Sequence, residues 1–190
     1  MNKAIQVAPP EPVEDDAAGT TDNAQEEQRE VLELPLLSVR NTVLLPNMVA
    51  PLLVGRNRSV RAIEEAMSKD HRLFVVTQLN ESQEEPGSDE LYTVGVEGFI
   101  DRVLKLPDGT MSVLLRGQRR MRCLEFTQQT PFMRVRAEIV EEVSDASLAT
   151  EALKRAVLAL FEKCVKLNGS VSEDAYITAM NIDQPGQLAD

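Results

Sequence analysis

The chain has 190 residues, 43% of them hydrophobic, and a net charge of -11, so it can bury a real core in one compact domain with some material to spare. Its two cysteines, Cys123 and Cys164, form no CxxC pair and its single histidine is His71, which excludes a disulfide framework, a Cys-based zinc site and any paired-histidine metal chemistry. Both thiols are expected to be buried and reduced.

Residues 1–33 carry nine acids against two bases and are rich in Pro, Ala, Gln and Thr. Such a segment buries too little apolar surface to offset its ordering entropy, and residues 1–30 are expected to form a disordered acidic tail. The apolar patch Ala4 to Ala8 is too short for a signal-peptide core. The longest uncharged stretch, Asn41 to Gly55, falls short of the roughly 18 residues a membrane span needs. A soluble, cytoplasmic protein without membrane partners is the expectation.

From Val31 the pattern changes to short apolar runs and period-two alternation. Strands are predicted near Leu32–Ser38, Ala50–Val54, Leu73–Gln78, Thr93–Leu106, Thr110–Gly117, Arg119–Phe126 and Met133–Glu141. One helix interrupts them over Arg58–Lys69, with Asn57 as its cap and Val60, Ile63 and Met67, with Ala62 and Ala66 alongside, on the face that packs against the sheet. In Leu106-Pro107-Asp108-Gly109-Thr110, proline fixes one corner of a hairpin and glycine supplies a positive φ. Glu84 to Asp89 reads as an exposed, mobile loop. Gly95 and Gly98 lie in a strand pattern, where they mark a bulge or bend rather than a nucleotide loop.

Val113, Leu115, Met121 and Cys123 share one parity, and Arg116, Arg120 and Arg122 the other, so one face is buried and one is wet. Several antiparallel strands with a single inserted helix favour a small closed or nearly closed barrel over an open sheet with long edges. Residues 31–143 are assigned to it. Residues 144–190 read as a helical subdomain, cut short at its C-terminal end. Leu153, Val157, Leu160, Cys164 and Leu167 form a seam that must be buried against something, and Asn168-Gly169 stops the helix. A second helix follows over Glu173–Met180, capped by Ser172, and a third starts near Pro185.

Catalytic signals are missing. None of the six lysines follows a glycine, so there is no P-loop. Nothing brings Ser38, Ser112 or Cys123 to His71 for nucleophilic catalysis. The arginines 116, 119, 120, 122, 134 and 136 could form a nucleic-acid surface. The net-negative ordered region and the lack of Trp argue instead for an outward face paired with nearby glutamates, and make nucleic acid an unlooked-for partner.

The segment LPLLSVRNTVLLPNMVAPLLVGR, Leu34 to Arg56, resembles the signature that opens the N-terminal domain of the Lon family of ATP-dependent proteases. Ser38 stands where that pattern commonly has proline, and Asn41 where it commonly has aspartate. The likeness continues through SVRAIEEAM (Ser59–Met67), DELYTVG (Asp89–Gly95), LKLPDG (Leu104–Gly109), GQRRMR (Gly117–Arg122) and NIDQPGQLAD (Asn181–Asp190). It implies an α+β fold, a PUA-like small β-barrel with one inserted helix followed by helices. It also implies that the ATPase and Ser-Lys protease modules, with their ATP and Mg, lie outside this chain, which has no cofactor and no catalytic residue of its own.

The expected role is recognition of misfolded or degron-bearing protein substrates, with other Lon subunits as partners in a homo-hexamer. Leu45, Pro46, Met48 and Val49 are the candidate substrate-binding residues, because the prolines keep their turn from pairing and methionine suits a promiscuous surface. They could equally plug the barrel end. Two other readings stay open: a stand-alone Lon-N-like binding protein, and a PUA-like RNA-binding module.

Overall fold

A computed structural model describes residues 30–141, 147–168 and 171–190. The acidic tail expected over residues 1–30, Glu30 apart, and the expected boundary at residue 143 lie outside the described residues. In chain order the elements are β1 (Val31–Val39), β2 (Val49–Val54), α1 (Asn57–Met67), β3 (Arg72–Thr77), β4 (Val94–Lys105), β5 (Met111–Gln128), β6 (Arg134–Ile139), α2 (Leu148–Leu167), α3 (Glu173–Met180) and α4 (Pro185–Ala189).

The strands form one six-stranded mixed sheet in the order β2-β5-β4-β3-β1-β6, with β5 pairing β6 as well. The pairings thus run round from β5 through β4, β3, β1 and β6 back to β5, while β2 hangs outside on β5 alone. The architecture is α+β with a mixed, curled sheet, and not the clean antiparallel barrel expected. One pair, β1 and β3, is parallel, because α1 lies in the crossover between them, as parallel neighbours require.

That parallel pair is buried on both faces. Leu37, Val39, Leu73 and Val75 join one apolar cluster together with Ile63 and Ala66 of α1. Leu34, Leu36, Phe74 and Val76 join a second with Met121, Val135 and Ala137. Burial on both faces is why these strands read as unbroken apolar runs rather than alternating ones.

The two strands predicted at Thr110–Gly117 and Arg119–Phe126 are one 18-residue strand, β5. Its first half pairs β2 and its second half pairs β6. The parity expected for it holds, with Val113, Leu115 and Met121 buried. The Leu106–Thr110 hairpin also forms as expected, with Gly109 at φ 85° and the Leu106 N–H bonded to the Thr110 carbonyl at 2.9 Å. A register shift lies between Val96 and Gly98, the bulge expected from the glycines.

Helix α1 starts one residue early. Arg56 takes the N-cap position without a side-chain cap, and Asn57, the expected cap, is helical. Its buried stripe is Ser59, Ala62, Ile63 and Ala66, while Met67 is exposed; the smaller residues face the sheet because they allow closer approach. In α2 the expected seam is reversed. Leu153, Val157 and Leu160 are exposed and Cys164 is exposed too, contrary to both expectations for it. Val165 is buried, and Phe161 meets Tyr176 of α3 with ring centroids 6.5 Å apart. Helix α2 is apolar on two sides, and α3 packs on the less regular one. Ser172 takes the α3 N-cap position but makes no capping hydrogen bond.

Beside the bulge, Glu97 is wholly buried. Its carboxylate receives Arg119 Nε at 2.8 Å and Arg72 Nη1 at 3.3 Å, tying β3, β4 and β5 together. A buried carboxylate is tolerable only with such partners. The Arg72→Met/Arg119→Met double variant is expected to lose about 3 kcal/mol or more in urea denaturation, and adding Glu97→Met is expected to recover most of that loss.

Candidate functional site

The connection between β1 and β2 is built by local turn chemistry. Leu45-Pro46-Asn47-Met48 closes with the Met48 N–H donating to the Leu45 carbonyl at 3.2 Å. Pro46 supplies the fixed φ of the first corner, and Asn47, at φ 63°, supplies the left-handed second corner, the residue pairing a type II turn favours. Two more backbone bonds strap the turn to the middle of β5. The Asn47 N–H donates to the Gly117 carbonyl at 2.9 Å, and the Gly117 N–H donates to the Met48 carbonyl at 2.8 Å.

Residue 117 must be glycine for this strap to close. A Cβ there would stand 2.1 Å from the Leu45 carbonyl oxygen, well inside contact distance. The turn therefore lies across β5, and its side chains divide. Leu45 and Pro46 are half-buried, whereas Met48 and Val49 point outward, 40% and 51% exposed.

Strand register extends this apolar surface. Leu53 and Leu104 flank Ser112 from either side, Pro51 and Arg102 flank Leu114, and Val49 and Phe99 flank Arg116. One outer face of β2, β5 and β4 thus carries Val49, Pro51, Leu53, Leu114 and Leu104 in adjoining rows. Leu53 and Leu104 are 72% and 59% exposed. Pro51 fits because β2 pairs on one side only, and proline is tolerated in such edge strands.

Exposed Arg102 stands within this face beside Leu114, and the Arg116–Asp101 pair borders it. Arg116 donates through Nε to Asp101 at 3.2 Å and again through Nη2, while its guanidinium sits 5.9 Å from the Phe99 ring centroid. Hydrogen bonding to Asp101 holds the Arg116 pKa above its ordinary value. Leu53, Leu104 and Leu114 were not among the residues expected from sequence. Period-two parity along β2 marks Leu53, but the other two need the β4–β5 register.

Each arginine of the expected basic cluster faces a carboxylate: Arg116 with Asp101, Arg119 with Glu97 and Glu30, Arg120 with Asp190, Arg122 with Glu138, Arg134 with Glu65 and Glu33, and Arg136 with Glu125. Phosphates would have to displace these partners, which argues against a nucleic-acid surface. His71 packs its ring on Phe99, centroids 5.9 Å apart. Cys123 is half-buried, and burial raises its thiol pKa. Among the described residues no group of His, Cys, Asp and Glu could hold a metal, and no helix is long and apolar enough to cross a membrane.

The fold and its exposed face can now be set beside known proteins. A family model described as the ATP-dependent protease La (LON) substrate-binding domain matches residues 33–190. The chain belongs to the Lon substrate-binding domain family. It is 46% identical to Lon protease 2 of Herpetosiphon aurantiacus over 159 residues, covering 84% of this chain and 20% of that protein. It is 37% identical to Lon protease 1 of Bacillus subtilis over 157 residues, covering 83% of this chain and 20% of that protein. The domain thus spans about one fifth of the length of these relatives.

Among solved structures, the N-terminal domain of Mycobacterium avium complex Lon protease shares the fold with a TM-score of 0.66 at 22% identity, over 84% of this chain and 80% of that one. A Lon N-terminal domain protein from Xanthomonas campestris gives 0.52 at 20% identity, over 81% and 92%.

Within this Lon domain the strap at Gly117 is what orients Met48 and Val49. Gly117→Ala is expected to cost about 1–3 kcal/mol and to speed hydrogen–deuterium exchange at the Asn47 amide, while exchange within α2 stays unchanged.

Proposed function

We propose that the outer face formed by Met48, Val49, Leu53, Leu104 and Leu114 captures exposed apolar segments of misfolded or degron-bearing proteins. The observation that carries this reading is the exposure of Val49, Pro51, Leu53 and Leu104, and in part of Leu114, in adjoining rows around Arg102, with exposed Met48 in the strapped turn beside Val49. Surfaces of that kind on soluble domains mark interaction sites, and methionine adapts to varied partners. Membership of a substrate-binding family supports the same role. Leu45 and Pro46 act beneath this face, holding its rim in place.

Capture of this type is weak and tolerant of sequence, which suits a domain that works as one of several linked copies. In a homo-hexamer of the full-length protease, six such faces would raise the effective concentration of substrate segments, so that modest single-site affinity suffices. ATP and Mg act in the ATPase module of the full-length protein, and the chain itself is non-catalytic. The curled sheet is the domain's version of a PUA-like barrel, with residues 31–143 as the barrel unit and residues 144–190 as its helical companion. The site of action is the cytoplasm.

Removing three apolar side chains from the face tests the reading. Each contributes about 1 kcal/mol when buried against a substrate segment, so Met48→Ser/Val49→Ser/Leu53→Ser is expected to weaken binding of a reduced, carboxymethylated protein by roughly a hundredfold. Fluorescence anisotropy measures this. Unchanged affinity with an unchanged circular dichroism spectrum contradicts the assignment.

A further inference from the structure

A second feature lies at the other end of β2. Where β1 and β2 end, their last residues diverge around a cavity of about 320 Å³. Leu37, Val39, Leu52 and Val54 supply apolar walls, and Ser38, Arg40, Arg56 and Ser59 supply polar ones. The start of α1 forms one side of it.

Three observations converge there. First, α1 begins without a side-chain cap and without an acid in its first turn. Its first intrahelical bond runs from the Val60 N–H to the Arg56 carbonyl at 2.9 Å, so the N–H groups of Asn57, Arg58 and Ser59 have no partner within the helix, and the helix dipole adds positive potential. Second, Ser59 is only 6% exposed, and its hydroxyl has no hydrogen-bond partner among the described residues. Among the described residues no fully enclosed side-chain oxygen or nitrogen lacks a partner, so the hydroxyl opens on the space that Ser59 lines, which joins this cavity to a smaller one bordered by Arg58, Glu84 and Glu85.

Third, the nearby guanidiniums bind only neutral oxygens. Arg56 donates to the Ser38 carbonyl at 2.5 Å, to Gln78 Oε1 at 3.0 Å and to the Glu84 carbonyl at 3.0 Å. Arg40 donates to the same Glu84 carbonyl at 3.4 Å. Burial and then the charge of Arg40 hold the Arg56 pKa below its ordinary value, and Glu85 is the carboxylate whose field opposes them. The contrast is with Arg116, Arg119, Arg120, Arg122, Arg134 and Arg136, each of which holds a carboxylate. The loop from Glu84, expected to be exposed and mobile, is tied down by these bonds.

Two guanidiniums, an uncapped helix start and the solvent-reached hydroxyl of a largely buried serine form a site for one compact oxyanion. Inorganic phosphate would satisfy the polar end and leave the apolar walls empty. A chain terminus fills both, with its carboxylate at Ser59 and its last side chain against Leu37, Leu52 and Val54. We propose that this cavity takes the free α-carboxylate of a substrate polypeptide whose last residue is apolar. This rests on the substrate-binding reading and adds to it a second subsite with an end-of-chain preference.

The test uses the 190-residue chain and an N-acetylated hexapeptide ending in Ala-Leu, as free acid and as C-terminal amide, with inorganic phosphate as a third probe. The acid is expected to bind about tenfold more tightly than the amide, and to shift the Ser59 and Asn57 amide resonances. Ser59→Ala and Arg40→Gln, which leave the Arg56 hydrogen bonds in place, are each expected to shrink that ratio without changing the melting temperature. Equal binding of acid and amide overturns the inference, as does a ratio untouched by both substitutions. Phosphate that shifts Ser59 where the acid does not reassigns the site to phosphate and overturns it too. A carboxymethylated unfolded protein serves as the control: if it still binds through the Met48 face, only the subsite has failed, and if neither it nor the peptide binds, the substrate reading itself has failed.

Discussion

The close approach of the Leu45 carbonyl to Gly117 is the constraint from which the exposed face follows. At this point the β1–β2 connection crosses β5, with the Asn47 and Gly117 N–H groups each donating across the contact. Any side chain at residue 117 would push the turn away. With the turn in place, β2 enters its pairing with β5 at Val49 opposite Arg116, and the strand period then dictates the rest. Ala50 and Val54 go inward, Val49 and Leu53 outward. The apolar surface is thus a consequence of register, and it is held by backbone bonds that no substrate needs to break.

A second constraint allows the sheet to curl. Strands β1 and β3 are apolar on both faces, so they must be covered twice, once by α1 with the β2–β5 end and once by the β5–β6 end. A single long β5 can serve both ends only by bending. Glu97 sits beside the bulge in β4, its neighbour, and its two arginines bind the bent region together. The polar network sits at one of the breaks in regular pairing, the register shift between Val96 and Gly98.

How much of this could be read from sequence depends on how local the deciding physics is. The Pro107-Asp108-Gly109 hairpin was legible because the turn residues alone determine it. Met48 was legible as an exposed position because it lies in a proline-bounded turn, whereas Val49, exposed as well, is paired with Arg116 as the first residue of β2. The continuity of β5 was not, since a glycine that permits close approach looks the same as one that ends a strand. In α2 the regular four-three spacing pointed to Leu153, Val157 and Leu160, yet α3 packs on the neighbouring side at Phe161 and Val165; two apolar faces on one helix leave the choice to tertiary structure. Leu104 and Leu114 entered the site only through cross-strand register, and the cavity at Ser59 only through the meeting of strand ends that are far apart in the chain.

Methyl resonances of the folded domain provide the most direct measurement of the central claim, that substrate segments dock on the face which the Gly117 strap orients. In a titration with a carboxymethylated unfolded protein, the account predicts concerted shifts of the Met48, Val49, Leu53 and Leu104 methyls, with those of Leu153, Val157 and Leu160 unmoved. Shifts confined to the α2 methyls, with the β2 face silent, would contradict it.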